Sequence, residues 1–193
     1  MDAASSRWDL IYSRSDPACN PAVPVLTDHD FLLPPDGAAL DLACGLGANA
    51  VFLAQQGLAV TAWDISGVAI EKLAAYAVRQ GLNINACQEK IGVGSFAECR
   101  FDVIVVSRFL DRTLSDAIID ALKPDGLLFY QTFTREKVSL TPPNNPDYLL
   151  ACNELLTLFS PLKVIFYREN ALIGDRLRGL RNEAQFVGQK CNV

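Results

Sequence analysis

Histidine occurs once in this chain, at position 29, and no two of its cysteines form a CxxC pair. A zinc site would therefore have to be built almost wholly from Cys19, Cys44, Cys87, Cys99, Cys152 and Cys191, whose spacing does not suit one. No metal is expected. Basic residues are outnumbered, 17 Lys and Arg against 22 Asp and Glu, for a formal net charge of -5. Nucleic-acid binders draw much of their affinity from neutralising phosphates, so no nucleic-acid partner is expected. No apolar run approaches the roughly 18 residues that span a bilayer, which argues against a membrane partner. The opening "MDAASSRWDL" has no apolar signal-peptide core, and cysteines without such a signal read as reduced thiols of a cytoplasmic protein. Repeats and low-complexity tracts are absent as well.

What remains is a chain of 193 residues, half of them hydrophobic and a fifth charged, enough for one well-filled domain. Residues 1–37 read as an N-terminal extension. Prolines 17, 21, 24, 34 and 35 discourage a long helix after Asp16, while a short helix over Ser6–Tyr12 would bring Trp8 and Tyr12 to one face. Residues 38–193 read as the main domain, in which strands and helices alternate. Ala38–Ala43 is an apolar strand, Asn49–Gln56 a helix ended by Gly57, and Leu58–Trp63 a second strand. Ser66 can cap a helix that ends at Gly81, and Leu82–Cys87 is a weaker third strand. "FDVIVV" has the β-branched run of a strand buried on both faces. A helix over 113–122 should stop at a Pro124-Asp125-Gly126 turn, before the fifth strand "GLLFYQTF". A loop with three prolines follows, then a helix near Asn153–Phe159, the strand "LKVIFYRE" and a last strand near Ala184–Gln189. The short link between the last two strands suits an antiparallel pair, since parallel strands need a crossover of about a dozen residues. The expected fold is a Rossmann-like, doubly wound α/β fold. It has a seven-stranded, mostly parallel sheet with an antiparallel C-terminal strand.

The stretch "ALDLACGLGANAVFLA" runs a strand into Gly45-Leu46-Gly47 and then into a helix, which is how a nucleotide-type cofactor is held. Gly45-x-Gly47-x-x-Ala50 satisfies the dinucleotide fingerprint. Two neighbours favour a different cofactor. Asp41, just ahead of the glycines, would oppose a pyrophosphate but suits an ammonium. Asp64, at the end of the second strand, can accept two ribose hydroxyls, a feature common to both cofactor types. Hydride chemistry in a single domain of this size would need a Tyr-x-x-x-Lys pair. Tyr12, Tyr76, Tyr130, Tyr148 and Tyr167 are followed four residues on by Asp16, Gln80, Thr134, Cys152 and Ala171.

"LDLACGLGANAVFLAQQGLAVTAWDIS" resembles the first two motifs of class I S-adenosylmethionine-dependent methyltransferases. The usual acid-x-Gly-x-Gly-x-Gly stands here as Asp41-x-Ala43-x-Gly45-x-Gly47, with alanine for the first glycine. "FDVIVVSRFLDRTL" and "ALKPDGLLFYQTF" resemble the fourth- and fifth-strand motifs. Trp8-Asp9-x-x-Tyr12, "DYLL…NELLTLF" and "EAQFVGQK" are similar to the tellurite-resistance and thiopurine branch. The resemblance implies S-adenosylmethionine as cofactor and S-adenosylhomocysteine as product. It implies that Asp41 and the backbone of Ala43, Cys44, Gly45 and Gly47 hold the methionyl end, that Asp64 binds ribose and that Ile65 flanks adenine. Gln88 or Glu89 stands near the adenine amine, and Ser107 lies beside the methyl group. Trp8 and Tyr12 would belong to an N-terminal lid, and with Arg108 and Arg112 would line the acceptor side. The implied reaction is methyl transfer to a small molecule bearing a thiol, a chalcogen oxyanion or a similar nucleophile. No catalytic acid or base is assigned.

Several other signals are weaker. "NPDY" at 145–148 has the letters of an amino-methyltransferase motif but lies after the fifth strand instead of the fourth, so it reads as a turn. Arg168, Arg176, Arg178 and Arg181 are either a solvated turn or an anion site at the pocket rim. Cys44 has no nearby base and reads as structural. His29 reads as a surface loop residue. Two alternatives stay open: a cofactor-binding module without turnover, and a nicotinamide-dependent reductase.

Overall fold

The computed structural model describes residues 3–16 and 20–192. Helix α1 covers Ala3–Ser13 and a one-turn α2 covers Pro24–Thr27. The alternating part then runs β1 Ala38–Leu42, α3 Ala48–Gln55, β2 Ala59–Asp64, α4 Gly67–Gln80, β3 Ile84–Gln88 and β4 Phe101–Ser107. It closes with α5 Ser115–Ala121, β5 Leu122–Phe133, α6 Glu154–Leu158, β6 Lys163–Glu169 and β7 Glu183–Gln189.

The seven strands lie in the order β3-β2-β1-β4-β5-β7-β6. Neighbours are parallel from β3 through β5, whereas β7 is antiparallel to both β5 and β6. The expected doubly wound sheet is therefore the one observed. Its strand order reverses between β1 and β4, and in open α/β sheets ligands settle in the crevice outside such a switch point.

Each sheet face carries its own core. Ala50 and Leu53 of α3, Ile70 and Leu73 of α4, and Val25 and Leu26 of α2 pack on one side with Val103, Val105 and Phe129. Ile118 of α5, Leu155 of α6, Phe159 and Phe186 pack on the other with Leu40, Ile104 and Tyr130. The central strands are apolar on both faces because helices cover both.

Local rules account for most boundaries. The Ser66 hydroxyl accepts the Ala69 N–H at the start of α4, and Gly81 ends that helix in the left-handed region at φ 66. One boundary departs from the sequence expectation. Lys123-Pro124-Asp125-Gly126 makes the expected turn, but as a bulge inside β5 and not ahead of it: Leu122 is already paired to Phe101, Val103 faces Leu127, and Asp125 lies at φ 63. Long-range partners fix the bulge in place: Lys123 pairs with Asp102 at 2.7 Å, and the Asp125 N–H donates to the Lys190 carbonyl. The local turn signal and the strand ladder are both satisfied by this bulge.

His29 also differs from its expected place in a surface loop. Its ring packs 4.3 Å from that of Phe166 on β6, and Nδ1 lies 3.0 Å from the Val25 carbonyl. The free thiols Cys44, Cys87, Cys99, Cys152 and Cys191 form no disulfide, while Cys19 lies outside the described residues. No described helix is long and apolar enough to cross a membrane.

Candidate functional site

Backbone conformation builds the loop after β1. Ala43, Gly45 and Gly47 have φ values of 55, 54 and 78, all left-handed. At Gly47 an added Cβ would fall 2.4 Å from Leu73 Cδ1, so both φ and space demand glycine. Ala43 occupies the same backbone region with a Cβ, a conformation that costs an L-residue about 1–2 kcal/mol. Ala43→Gly is accordingly expected to stabilise the protein by about 1 kcal/mol, raising Tm by roughly 2–4 °C for a chain of this size. Differential scanning calorimetry of the variant measures this directly.

Two carboxylates flank that loop. Asp41 is fully buried; its Oδ2 accepts the Ala50 N–H at 2.9 Å and its Oδ1 accepts from the Asn49 side chain at 3.4 Å. These partners are neutral amides, and burial pushes the Asp41 carboxyl up to about 7, with the neighbouring Asp64 adding to the rise. Asp64 accepts the Gly45 N–H at 2.8 Å through Oδ2 and the Ser66 N–H at 2.9 Å through Oδ1. Burial raises Asp64 too, against the pull of those hydrogen bonds. Each of its oxygens keeps a lone pair after one N–H is accepted, so the carboxylate can still receive two hydroxyls side by side.

Helix α1 lies across this cradle. The Asp9 carboxylate accepts from the Ser66 hydroxyl at 2.6 Å and the Val68 N–H at 3.3 Å, adding a second acceptor at the α4 N-terminus. Lys72 Nζ grips the far end through the carbonyls of Tyr12, Ser13 and Ser15. Tyr12 stacks on Trp8 at 5.6 Å, and its phenol oxygen would stand 2.7 Å from a Cβ added at Gly45. Burial, then Asp64, Cys44 and Asp41, push the Tyr12 phenol well above its ordinary value, so it stays a neutral donor. Cys44 is buried and its thiol is driven up by burial, which leaves no thiolate at neutral pH.

Beyond β3, the Gln88 amide donates to the Ile65 carbonyl at 3.0 Å, while the Glu89 carboxylate accepts the Ser95 hydroxyl at 2.7 Å. The C-terminal ends of β2 and β3 are thus tied together at Ile65.

Pattern reading missed the residue that joins the two sides of the switch point. Asn49 Nδ2 donates to Asp41 and, at 3.0 Å, to the Ser107 hydroxyl on β4, while its Oδ1 accepts the Val23 N–H at 3.0 Å. Beyond Ser107, the same register row continues through Gln131, Gln185 and Arg168. Gln131 Oε1 accepts from Val25 N–H and from Gln185, and Gln131 Nε2 donates to Glu183.

The arginines are largely occupied. Arg108, at φ 52, pairs its Nε with Glu183 at 3.3 Å. Arg112 spans both Glu154 oxygens and the carbonyls of Asp147 and Leu149, which makes it a brace between loops. Arg181 donates to the carbonyls of Asn170, Ala171, Ile173, Asp175 and Arg178. Arg168 sits over the Phe166 ring at 5.9 Å, and Arg176 and Arg178 are exposed. "NPDY" is a turn, with Asn145 Oδ1 accepting the Asp147 N–H.

Residues 39–126 match the family described as Methyltransferase domain. The chain is 27% identical over 122 residues to the ubiquinone biosynthesis O-methyltransferase of Serratia proteamaculans, covering 60% of this chain and 51% of that protein. It spans about half the length of the curated relatives it matches. Among solved structures, TehB from Haemophilus influenzae superposes with a TM-score of 0.71 at 21% identity, over 88% of this chain and 62% of that one. The [4+2]-cyclase SpnF superposes at 0.63 with 15% identity, over 99% and 82%.

Proposed function

We propose that this chain, whose residues 39–126 match the methyltransferase-domain family and whose fold superposes on that of TehB, transfers a methyl group from S-adenosylmethionine to a small-molecule nucleophile. The observation that carries the reading is the pair of buried carboxylates around a left-handed glycine loop. A buried Asp41 held only by neutral amides suits a cation, and Asp64 presents two oxygens to a diol. Asp41, ahead of the glycines, would repel a pyrophosphate, which disfavours the nicotinamide alternative, whereas Asp64 suits the ribose of either cofactor.

In this reading residues 1–37 form a lid on a domain of residues 38–193. Asp41 lies under the ammonium, the Ala43–Gly47 backbone follows the methionyl chain, and the neutral Tyr12 phenol donates to its carboxylate. Asp64 takes the ribose hydroxyls and Ile65 the adenine face. Gln88 takes the adenine edge, since the Glu89 carboxylate already holds Ser95. Held there, the cofactor would supply an electrophilic methyl on a sulfonium. Ser107, fixed by Asn49, marks the acceptor side of that methyl. Rate then comes from orientation and water exclusion by the lid, not from a dedicated base.

A fold shared with a cyclase does not by itself fix the chemistry. Calorimetric titration with S-adenosylhomocysteine, NAD and NADP tests the cofactor, and homocysteine release across thiols, phenols, selenite and tellurite tests turnover. Binding of NAD in place of S-adenosylhomocysteine would overturn the reading. Tight S-adenosylhomocysteine binding with no acceptor consumed would leave a cofactor-binding module instead.

A further inference from the structure

We propose that Asp9 and Lys72 are positioning residues of the cofactor site: they clamp α1 over the cradle, and opening of that clamp sets how fast cofactor is released. The second half of this rests on the methyltransferase reading above. Helix α1 has little hydrophobic anchorage. Neither core takes in a described residue of α1, and Trp8, Leu10 and Ile11 are 40%, 62% and 43% exposed. An isolated helix of 11 residues is marginal in water. Its place on the domain therefore depends on polar contacts.

Those contacts are reciprocal between α1 and α4. The carbonyls of Tyr12 and Ser13 at the end of α1, and of Ser15 just beyond, accept from Lys72 Nζ of α4 at 2.8, 3.0 and 2.7 Å. The N-terminus of α4 in turn receives the Asp9 carboxylate of α1, through the Ser66 hydroxyl and the Val68 N–H. Each helix thus has one end matched by a charge on the other, a cation at a C-terminus and an anion at an N-terminus. The Ser66 hydroxyl, then the Val68 N–H, hold the Asp9 carboxyl below its ordinary value, which keeps it charged at neutral pH.

The clamp grips where the cradle is. The Ser66 N–H donates to Asp64 while its hydroxyl donates to Asp9, so one residue ties α1 to the acid inferred to take the ribose. One turn earlier the Ser5 hydroxyl donates to the Ile65 carbonyl at 3.2 Å, and one turn later the Tyr12 phenol stands against Gly45. Ser5, Asp9 and Tyr12 recur at helical spacing, so a single stripe of α1 meets the adenine, ribose and methionyl positions in turn. A helix docked along the whole cradle has to lift before a molecule lying in the cradle can leave. One held mainly by polar contacts lifts at lower cost than the buried strands open.

The test pairs two readouts on the full chain. Hydrogen–deuterium exchange of the protein alone reports whether α1 is docked. Release of isotope-labelled S-adenosylhomocysteine into an excess of unlabelled ligand reports the gate. Lys72→Met and Asp9→Ala are each expected to speed both amide exchange in residues 5–12 and ligand release by about tenfold, the share of one charge-assisted set of contacts. Exchange in β4 and β5 should stay as it is, because both side chains stand outside the cores. Lys72→Arg and Asp9→Asn, which keep a donor and an acceptor in place, should recover most of the wild-type slowness in both readouts. Exchange in residues 5–12 that neither Lys72→Met nor Asp9→Ala alters, or exchange that rises equally in β4 and β5, would overturn the clamp. A loosened α1 with an unchanged release rate would overturn the gate. Failure of S-adenosylhomocysteine to bind at all would instead count against the methyltransferase reading, and exchange in α1 would still decide the clamp.

Discussion

Affinity for S-adenosylhomocysteine is expected to rise about tenfold between roughly pH 5.5 and 6.5, and Asp41→Asn is expected to remove that rise. The reasoning starts from the apo protein, where burial holds the Asp41 carboxyl at about 7 against an ordinary 3.8. An ammonium placed over it favours the ionised form, so binding expels a proton, and below the raised value each pH unit is worth a factor of ten. The gain should level off near pH 7 and reverse above about 8, where the ligand's own α-amino group loses its charge. Stability runs the other way. Between about 4 and 7 the unfolded chain has released a proton that the folded Asp41 retains, so stability falls as pH rises through that window. The total is of the order of 4 kcal/mol. Asp41→Asn should flatten this loss while weakening S-adenosylhomocysteine at pH 7.5 by at least about tenfold, the cost of leaving a charged ligand group unpaired. Titration calorimetry across pH, in two buffers of different ionisation enthalpy, reads both affinity and proton release. A wild-type affinity flat in pH would show that the ammonium does not sit over Asp41.

The part of the site that could be read in advance is the part encoded by neighbours in sequence. Asp41, Gly45 and Gly47 form one turn, and Ser66 caps the helix that begins one residue later, so spacing alone identifies them. Asp64 and Gln88 follow from strand ends, which hydrophobic runs mark well. What pattern could not reveal are side chains that serve backbone groups far away in the chain. Gln131 receives an N–H 106 residues distant, and Arg112 holds a carboxylate 42 residues on. Arg181 looks like a free cation in sequence because its carbonyl partners carry no residue signature. Pro124-Asp125-Gly126 has every local mark of a turn and makes one, but nothing local shows that the turn sits as a bulge inside a strand already paired with β4. The one available clue to Asn49 is an amide in the first turn of a helix that is otherwise apolar, an expensive residue to bury without partners.

Asn49→Leu tests that inference most severely, since leucine keeps the volume and deletes every hydrogen bond. Asn49 is 4% exposed and serves Asp41, Ser107 and the Val23 N–H at once. The substitution strands the buried Val23 N–H and deprives the buried Asp41 of a donor, each costing about 1–3 kcal/mol, and it removes the donor to the half-buried Ser107 hydroxyl. A loss of about 3–5 kcal/mol is expected, lowering Tm by roughly 6–20 °C. Generic core damage would produce a similar number, so a second measurement is needed. The Asn49 bond is the largest influence lowering the Asp41 carboxyl; without it that carboxyl should climb further. The pH at which S-adenosylhomocysteine affinity levels off must then move upward in Asn49→Leu. Asn49→Ala, which also deletes the bond but opens a cavity, should show the same upward move. A large fall in Tm with an unmoved pH profile would make Asn49 a packing residue only, and would separate the N-terminal segment from the cofactor acid it is here inferred to position.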